Sequence, residues 1–295
     1  LSYSDLPQIG IKDKADANVL EQGVVRVCDK HRSLHPWLSG QPVSSGDWLQ
    51  YRIQPPLGYR RVEVKPKHFA WWLRRLPLMS RGTPVRDYRG RIVKQTEHIA
   101  VVRMEIGKGD IQQCADVLMR LWGEYLWYRG LERFYQFRLT SGHRNPWLRW
   151  ARGDRLKIVK GQMRGWYERK AKPDTSYSSF RRYLRVVMIY SGTASLSREL
   201  QNIPLHKAEA GDLLIIGGYP GHTVMLLDEA RDAKGRRLFL IGQGYTPAQD
   251  LHILVDAKQT HSPWYYLDNQ KSLNIAGWSF TPQQLFRLPH VKSTR

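Results

Sequence analysis

Three short apolar runs after Pro204 constrain this chain more than anything else in it. Residues 212–216, 223–227 and 237–241 are almost wholly apolar, and they are separated by Gly217-Gly218-Tyr219-Pro220-Gly221 and by Asp232-Ala233-Lys234-Gly235. A strand with one wet face alternates apolar and polar residues, whereas a strand without alternation is covered on both faces. The runs therefore predict central strands of a sheet with something packed on each side, connected by turns.

One cover comes from the strongest helical pattern in the sequence, at about 111–128. Cys114, Val117, Leu118, Leu121, Trp122 and Tyr125 recur at helical spacing, so one face is apolar. Asp110 is expected as the N-cap, with Gln113 three residues on in a capping-box arrangement. Further helices are expected at 178–190 and 195–200, strands at 62–66 and 100–106, and a hairpin at 84–93; residues 69–76, with tandem Trp71 and Trp72, read as irregular. A long helix followed by an antiparallel sheet gives an α+β class. Residues 1–60, rich in Pro, Gly and Ser, are expected to wrap the core as loops and brief helices, and 61–290 to form a single α+β domain.

At 295 residues, with 41% hydrophobic and 11% aromatic side chains, the chain can bury a sizeable core and is not of disordered composition. It has no apolar run near the roughly 20 residues needed to span a bilayer. Lys and Arg number 47 against 26 Asp and Glu, a net charge of +21 that favours a polyanionic partner. Between 144 and 185 there are thirteen basic residues against three acids, interleaved with Trp147, Trp150, Trp166, Tyr167, Tyr177 and Tyr183. That pattern fits a polyanion-binding face with stacking aromatics, and equally a solvated basic face over core aromatics. A cell-wall or other acidic polymer is the expected partner, with nucleic acid left open. No basic and apolar leader is present at the start, so an export signal was either trimmed or never there.

Only two cysteines occur, Cys28 and Cys114, enough for one disulfide or two free thiols. Cys114 lies near a predicted helix start, a setting that favours thiolate, and His222 opens an apolar strand and can act as base. If Ala233-Lys234 is a two-residue turn, His222 falls opposite Tyr245 and Val224 opposite Gln243. His222 and Gln243 then share one face as diagonal neighbours, and Gln243 can orient the imidazole. Cys114, His222 and Gln243 are thus the candidate catalytic group. Gln112 or Gln113 could stabilise an oxyanion, and Tyr245, Asp250 and His252 are candidate supporting residues. The spacing of Cys28, His31 and His35 resembles half of a zinc site, but no second half follows, so no metal is expected. Nothing in the chain calls for a cofactor.

Several strings carry a family resemblance: 72–78 (Trp-Leu-Arg-Arg-Leu-Pro-Leu), 110–116 (Asp-Ile-Gln-Gln-Cys-Ala-Asp), Pro220-Gly221-His222, the run 242–254 around Gln243, and Pro263-Trp264-Tyr265. Together they resemble the bacterial domain of unknown function 4846 over about 60–270. The resemblance implies bacterial origin and export, to the periplasm or attached to the envelope. The order of a helical Cys, a strand-opening His and a polar residue on the next strand is also similar to papain-like amidases and peptidases, including the NlpC/P60 and CHAP groups that cut cell-wall peptides. That likeness implies a papain-like core and a cysteine hydrolase acting on amide bonds. The alternative reading is a non-catalytic module that binds an acidic polymer through the basic aromatic stretch.

Overall fold

The computed structural model describes residues 32–94, 97–158, 165–256 and 262–289. Cys28 and His31 lie outside them. The described helices are α1 (Leu49–Arg52), α2 (Phe69–Leu73), α3 (Cys114–Tyr128), α4 (Trp147–Ala151), α5 (Tyr177–Tyr190) and α6 (Thr193–Glu199). The strands in chain order are β1 (Tyr59–Arg61), β2 (His98–Val101), β3 (Gln136–Arg138), β4 (Arg144–Pro146), β5 (Asp154–Ile158), β6 (Gly165–Arg169), β7 (Gln201–Asn202), β8 (Leu213–Ile216), β9 (His222–Asp232), β10 (Arg237–Gln243), β11 (His252–Leu254), β12 (Trp264–Tyr265), β13 (Leu273–Ile275), β14 (Trp278–Phe280) and β15 (Leu285–Arg287). The chain is α+β, as expected.

The main sheet is antiparallel and runs β2-β11-β10-β9-β8-β15-β7, with β1 paired to the far end of β9 and β12 to β10. The three apolar runs are β8, β9 and β10, all interior to it. Side chains alternate between its two faces. Leu213, Ile215, Met225, Leu227 and Leu240 join the core built with α2, α3 and α5. Leu214, Val224, Leu226, Phe239 and Ile241 face a second core closed by Tyr265 and by the β13–β14 hairpin. Both faces are therefore dry, and the lack of alternation in the sequence follows from that.

Two expectations are corrected at the edges. The sheet is not built from the C-terminal half alone: β1 and β2 come from the N-terminal half, and the expected strand at 62–66 lies instead at Tyr59–Arg61, where it pairs with the exit of β9. Residues 69–76, read as irregular, begin with α2, whose Phe69, Trp72 and Leu73 are buried. Packing of this apolar face outweighs the weak helix preference of aromatic side chains. Between 32 and 60, brief helical turns do occur, and they send Trp37, Leu49 and Ile53 into the main core.

The β9–β10 turn also differs from expectation. Asp232 Oδ1 accepts the backbone N–H groups of Lys234 (3.0 Å) and Arg236 (2.8 Å), and Gly235 takes a left-handed φ of 79°. The loop is therefore three residues long, and Asp232 faces Arg236 rather than Gly235. That slip would put His222 on the wrong face. A bulge cancels it: Leu240 pairs with Asp228 but Ile241 pairs with Leu226, so Leu227 is the extra residue. Beyond the bulge the register is the one expected from the shorter turn.

α3 is buried along almost its whole length and carries an ion-pair network into the core. Arg120, fully buried, reaches Glu124 (3.3 Å) and Glu105 (2.8 Å), while Arg181 of α5 binds the same two carboxylates and Tyr177 donates to Glu124. Removing one partner would strand buried charge. Arg120→Ala is expected to destabilise the protein by about 3–5 kcal/mol in denaturant unfolding, and Arg120→Met, which fills the space but leaves Glu124 with Arg181 and Tyr177 alone, should recover only part of that.

Candidate active site

The start of α3 decides how Cys114 is presented. Gln113, not Asp110, occupies the N-cap position, and its N–H is accepted by Asp116 three residues on (3.0 Å). Cys114 is therefore the first helical residue, one turn closer to the end than the expected cap would have it. Asp110 serves the neighbouring loop instead: its Oδ1 accepts Gln113 Nε2 (3.0 Å) and the backbone N–H of Ala248 (2.7 Å). Thr246 donates to Gln113 Oε1 (3.2 Å). Gly244 lies so near the helix that a Cβ would come within 2.9 Å of Val117 and 3.2 Å of the Gln113 carbonyl. The segment after β10 is in this way bound to the start of α3.

Cys114 is a free, buried thiol, 7% exposed. Burial pushes its pKa up, and the carboxyl of Asp116 adds to this, while the N–H groups of Ala115, Thr223 and Cys114 itself pull it down. Asp116 is in turn pushed up to about 8 by burial. The Thr223 N–H matters for geometry: Thr223 follows His222 directly, and it lies beyond Gly242↔Met225, the last β9–β10 pair. The sulfur thus sits where the two strands part.

On the second face of the sheet, three side chains form a hydrogen-bonded line. His222 Nε2 meets Gln243 Oε1 at 2.8 Å, Gln243 Nε2 meets His252 Nε2 at 3.2 Å, and His252 Nδ1 meets the Asp250 carbonyl at 2.8 Å. Burial pushes both imidazoles down to about 4, so each is neutral at pH 7. The protons then follow in order. A carbonyl only accepts, so His252 carries its proton on Nδ1 and offers a lone pair at Nε2. That lone pair needs a donor, which places the Gln243 amide N–H towards it and Oε1 towards His222. His222 must donate from Nε2, and its Nδ1 is left as a bare acceptor. No described residue hydrogen-bonds that Nδ1, and no hydrogen bond joins Cys114 to His222. Trp278 stacks on the His222 ring (5.0 Å between centroids, 16° between planes), and Tyr245 lies against it at 5.0 Å.

His222, Gln243 and His252 are thus brought together, while Cys114 makes no hydrogen bond to any of them. Gln243 reaches His222 as the register requires, and Tyr245, His252 and Asp250 all take part, the last through its main chain. Gln112 and Gln113 have partners of their own: Gln112 Oε1 accepts Arg120 (2.7 Å) and its Nε2 donates to the Glu105 carbonyl (3.5 Å), while the Gln113 amide bonds Asp110 and Thr246. Trp278 and the β13–β14 hairpin were not anticipated, since an exposed-looking Ala276-Gly277 turn gives no hint that its next residue covers a histidine. Of the proposed half zinc site, only His35 is described; its Nε2 lies 2.7 Å from the Arg75 carbonyl and its ring 5.2 Å from Trp37. In the basic stretch, Trp147 and Tyr183 are core residues, whereas Trp166 is exposed. Its three acids are paired within the stretch, Asp154 to Arg169, Glu168 to Lys157 and Lys170, and Asp174 to Arg182.

The family model for the domain of unknown function 4846 matches residues 49–287. The chain belongs to that family. The match runs from the first residue of α1 to the last of β15, so the domain of unknown function 4846 takes in the whole main sheet, α3 and the histidine line. No curated protein and no solved structure matches the chain. No described helix is long and apolar enough to cross a membrane.

Two outcomes follow from the electrostatics. His252 has a folded pKa of about 4 against an ordinary 6.5, so its contribution is complete above about pH 6.5 and is lost as pH falls towards 4. The Tm difference between the native protein and His252→Gln should therefore shrink between pH 7.5 and 4.5 in thermal melts. Asp116→Asn removes a charge that raises the Cys114 pKa, and should move the midpoint of thiol alkylation against pH to lower pH.

Proposed function

We propose that this protein is an exported cysteine hydrolase with a papain-like arrangement of Cys114, His222 and Gln243, cleaving amide bonds of cell-envelope material. The observation that carries this reading is the tautomer forced on His222, a neutral ring with its lone pair on Nδ1 and its Nε2 proton held by Gln243. That is the form a general base needs, and its orienting group is itself held by His252. Cys114 at the first position of α3, with its sulfur beside the N–H of the residue that follows His222, supplies the nucleophile on the same strand end.

In this mechanism Cys114 Sγ attacks the carbonyl carbon of the amide while its proton passes to His222 Nδ1. The tetrahedral oxyanion is received by backbone N–H groups at the start of α3, where the helix dipole favours negative charge. His222 returns the proton to the leaving nitrogen, the C–N bond breaks, and a thioester remains. Water, deprotonated by the same Nδ1, attacks the thioester and releases the carboxylic acid and the thiol. Because burial keeps the thiol protonated and the imidazole neutral at rest, proton transfer accompanies attack, and the mechanism requires the two groups, which share no hydrogen bond without substrate, to meet at the strand end when substrate binds.

A second reading is favoured by one set of observations. The raised thiol pKa and the exposed Trp166, with Lys157 5.3 Å from its ring, suit an inert cysteine in a module that binds an acidic polymer through its basic face. Alkylation separates the two. In a Cys28→Ser background at pH 7, iodoacetamide should label Cys114 in the folded protein, and His222→Ala should slow this on the order of 100-fold. Labelling that requires denaturant, and is equal with and without His222, would leave the binding module as the better account.

A further inference from the structure

A cleft of about 680 Å³ opens beside the histidine line on the second face of the sheet. Gln243 and Tyr245, the two residues that hold and flank His222, both line it, and the Ala276-Gly277 turn that leads into Trp278 forms one rim. Gln249 also lines it. This side chain is only 2% exposed, yet its carboxamide has no hydrogen-bond partner among the described residues. Its amide atoms are not sealed away, so the little surface this residue exposes includes the carboxamide, open to water or to something that enters the cleft.

The rest of the lining indicates what could enter. Asp87, Glu97 and Asp256 contribute to it, and among the described residues no Lys or Arg does, although the chain as a whole carries a charge of +21. Asp87 is already committed to the backbone N–H groups of Arg89 (2.9 Å) and Arg91 (3.0 Å) and to the Arg91 guanidinium, so it shapes the wall. The polar remainder is neutral: Gln243, Gln249, Thr246 and Asn274, set among apolar Val93, Pro247 and Leu254. Among the described residues of this lining a polyanion finds no counter-charge. A carboxamide presents a donor and an acceptor side by side, the complement of a peptide group, and the apolar walls suit an aliphatic side chain.

We propose that this cleft is a peptide-binding subsite, in which Gln249 reads a backbone amide of a neutral peptide held beside the histidine line. The proposal rests on the hydrolase reading for its purpose, but its test does not use the thiol. The Cys114→Ser protein is titrated with N-acetyl-alanyl-alanine amide in a calorimeter, alongside the same protein carrying Gln249→Leu, with thermal melts to show that both are folded. Saturable binding that Gln249→Leu weakens about 10-fold or more is expected. Absence of saturable binding, or equal binding by Gln249→Leu, overturns the subsite. So does Gln249-dependent binding of a neutral N-acetylglucosamine oligomer in place of the peptide. Peptide binding without His222-dependent labelling of Cys114 would sink only the hydrolase; labelling without peptide binding would sink only the subsite.

Discussion

The strands β9 and β10 have no wet face, and the rest of the structure is arranged around that constraint. A strand buried on both sides needs two covers, one made here by α2, α3 and α5 and the other by Tyr265 and the β13–β14 hairpin. Polar side chains on such a strand are costly unless their donors and acceptors are matched. His222, Gln243 and His252 meet most of that demand with one another and leave over the Nδ1 of His222. Their alignment is thus a condition of burying them, and the chemistry proposed for His222 is built on an arrangement the fold already requires.

The direction of that alignment is set at its least conspicuous member. The Asp250 carbonyl can only accept, and from that single restriction the protonation of His252, the orientation of the Gln243 amide and the bare Nδ1 of His222 all follow. Low dielectric strengthens the effect, since burial keeps both rings neutral and removes the doubly protonated form that would tolerate either orientation. On the other face, α3 brings Cys114 to the point where β9 and β10 separate, and the segment 244–248 ties the two together through Gly244, Thr246 and Ala248.

Much of this was legible in the sequence, for reasons that differ by residue. The central strands and the long helix were visible because their periodicities are strong, and Gln243 was visible because alternation fixes which residues share a face. The start of α3 was misplaced by one turn, since Asp110 and Gln113 satisfy a capping pattern as well as Gln113 and Asp116 do, and only the contact of Asp110 with Ala248 breaks the tie. The partner of Gln112 was not legible, because a sequence does not reveal that Arg120, eight residues on, donates to its carboxamide oxygen. The role of Asp250 was invisible for a different reason: it is played by a carbonyl, which every residue has.

The pairing of a three-residue loop with the bulge at Leu227 has a further consequence. Each adds one residue to the β9–β10 hairpin, and side chains care only whether the total is even or odd. The two irregularities act together like a parity check. Losing either alone would turn His222 towards α3 and away from Gln243, although the sheet could still form; losing both would restore the line. The hairpin can therefore change length only in steps of two, and the histidine line divides its length variants into two classes that cannot exchange one residue at a time.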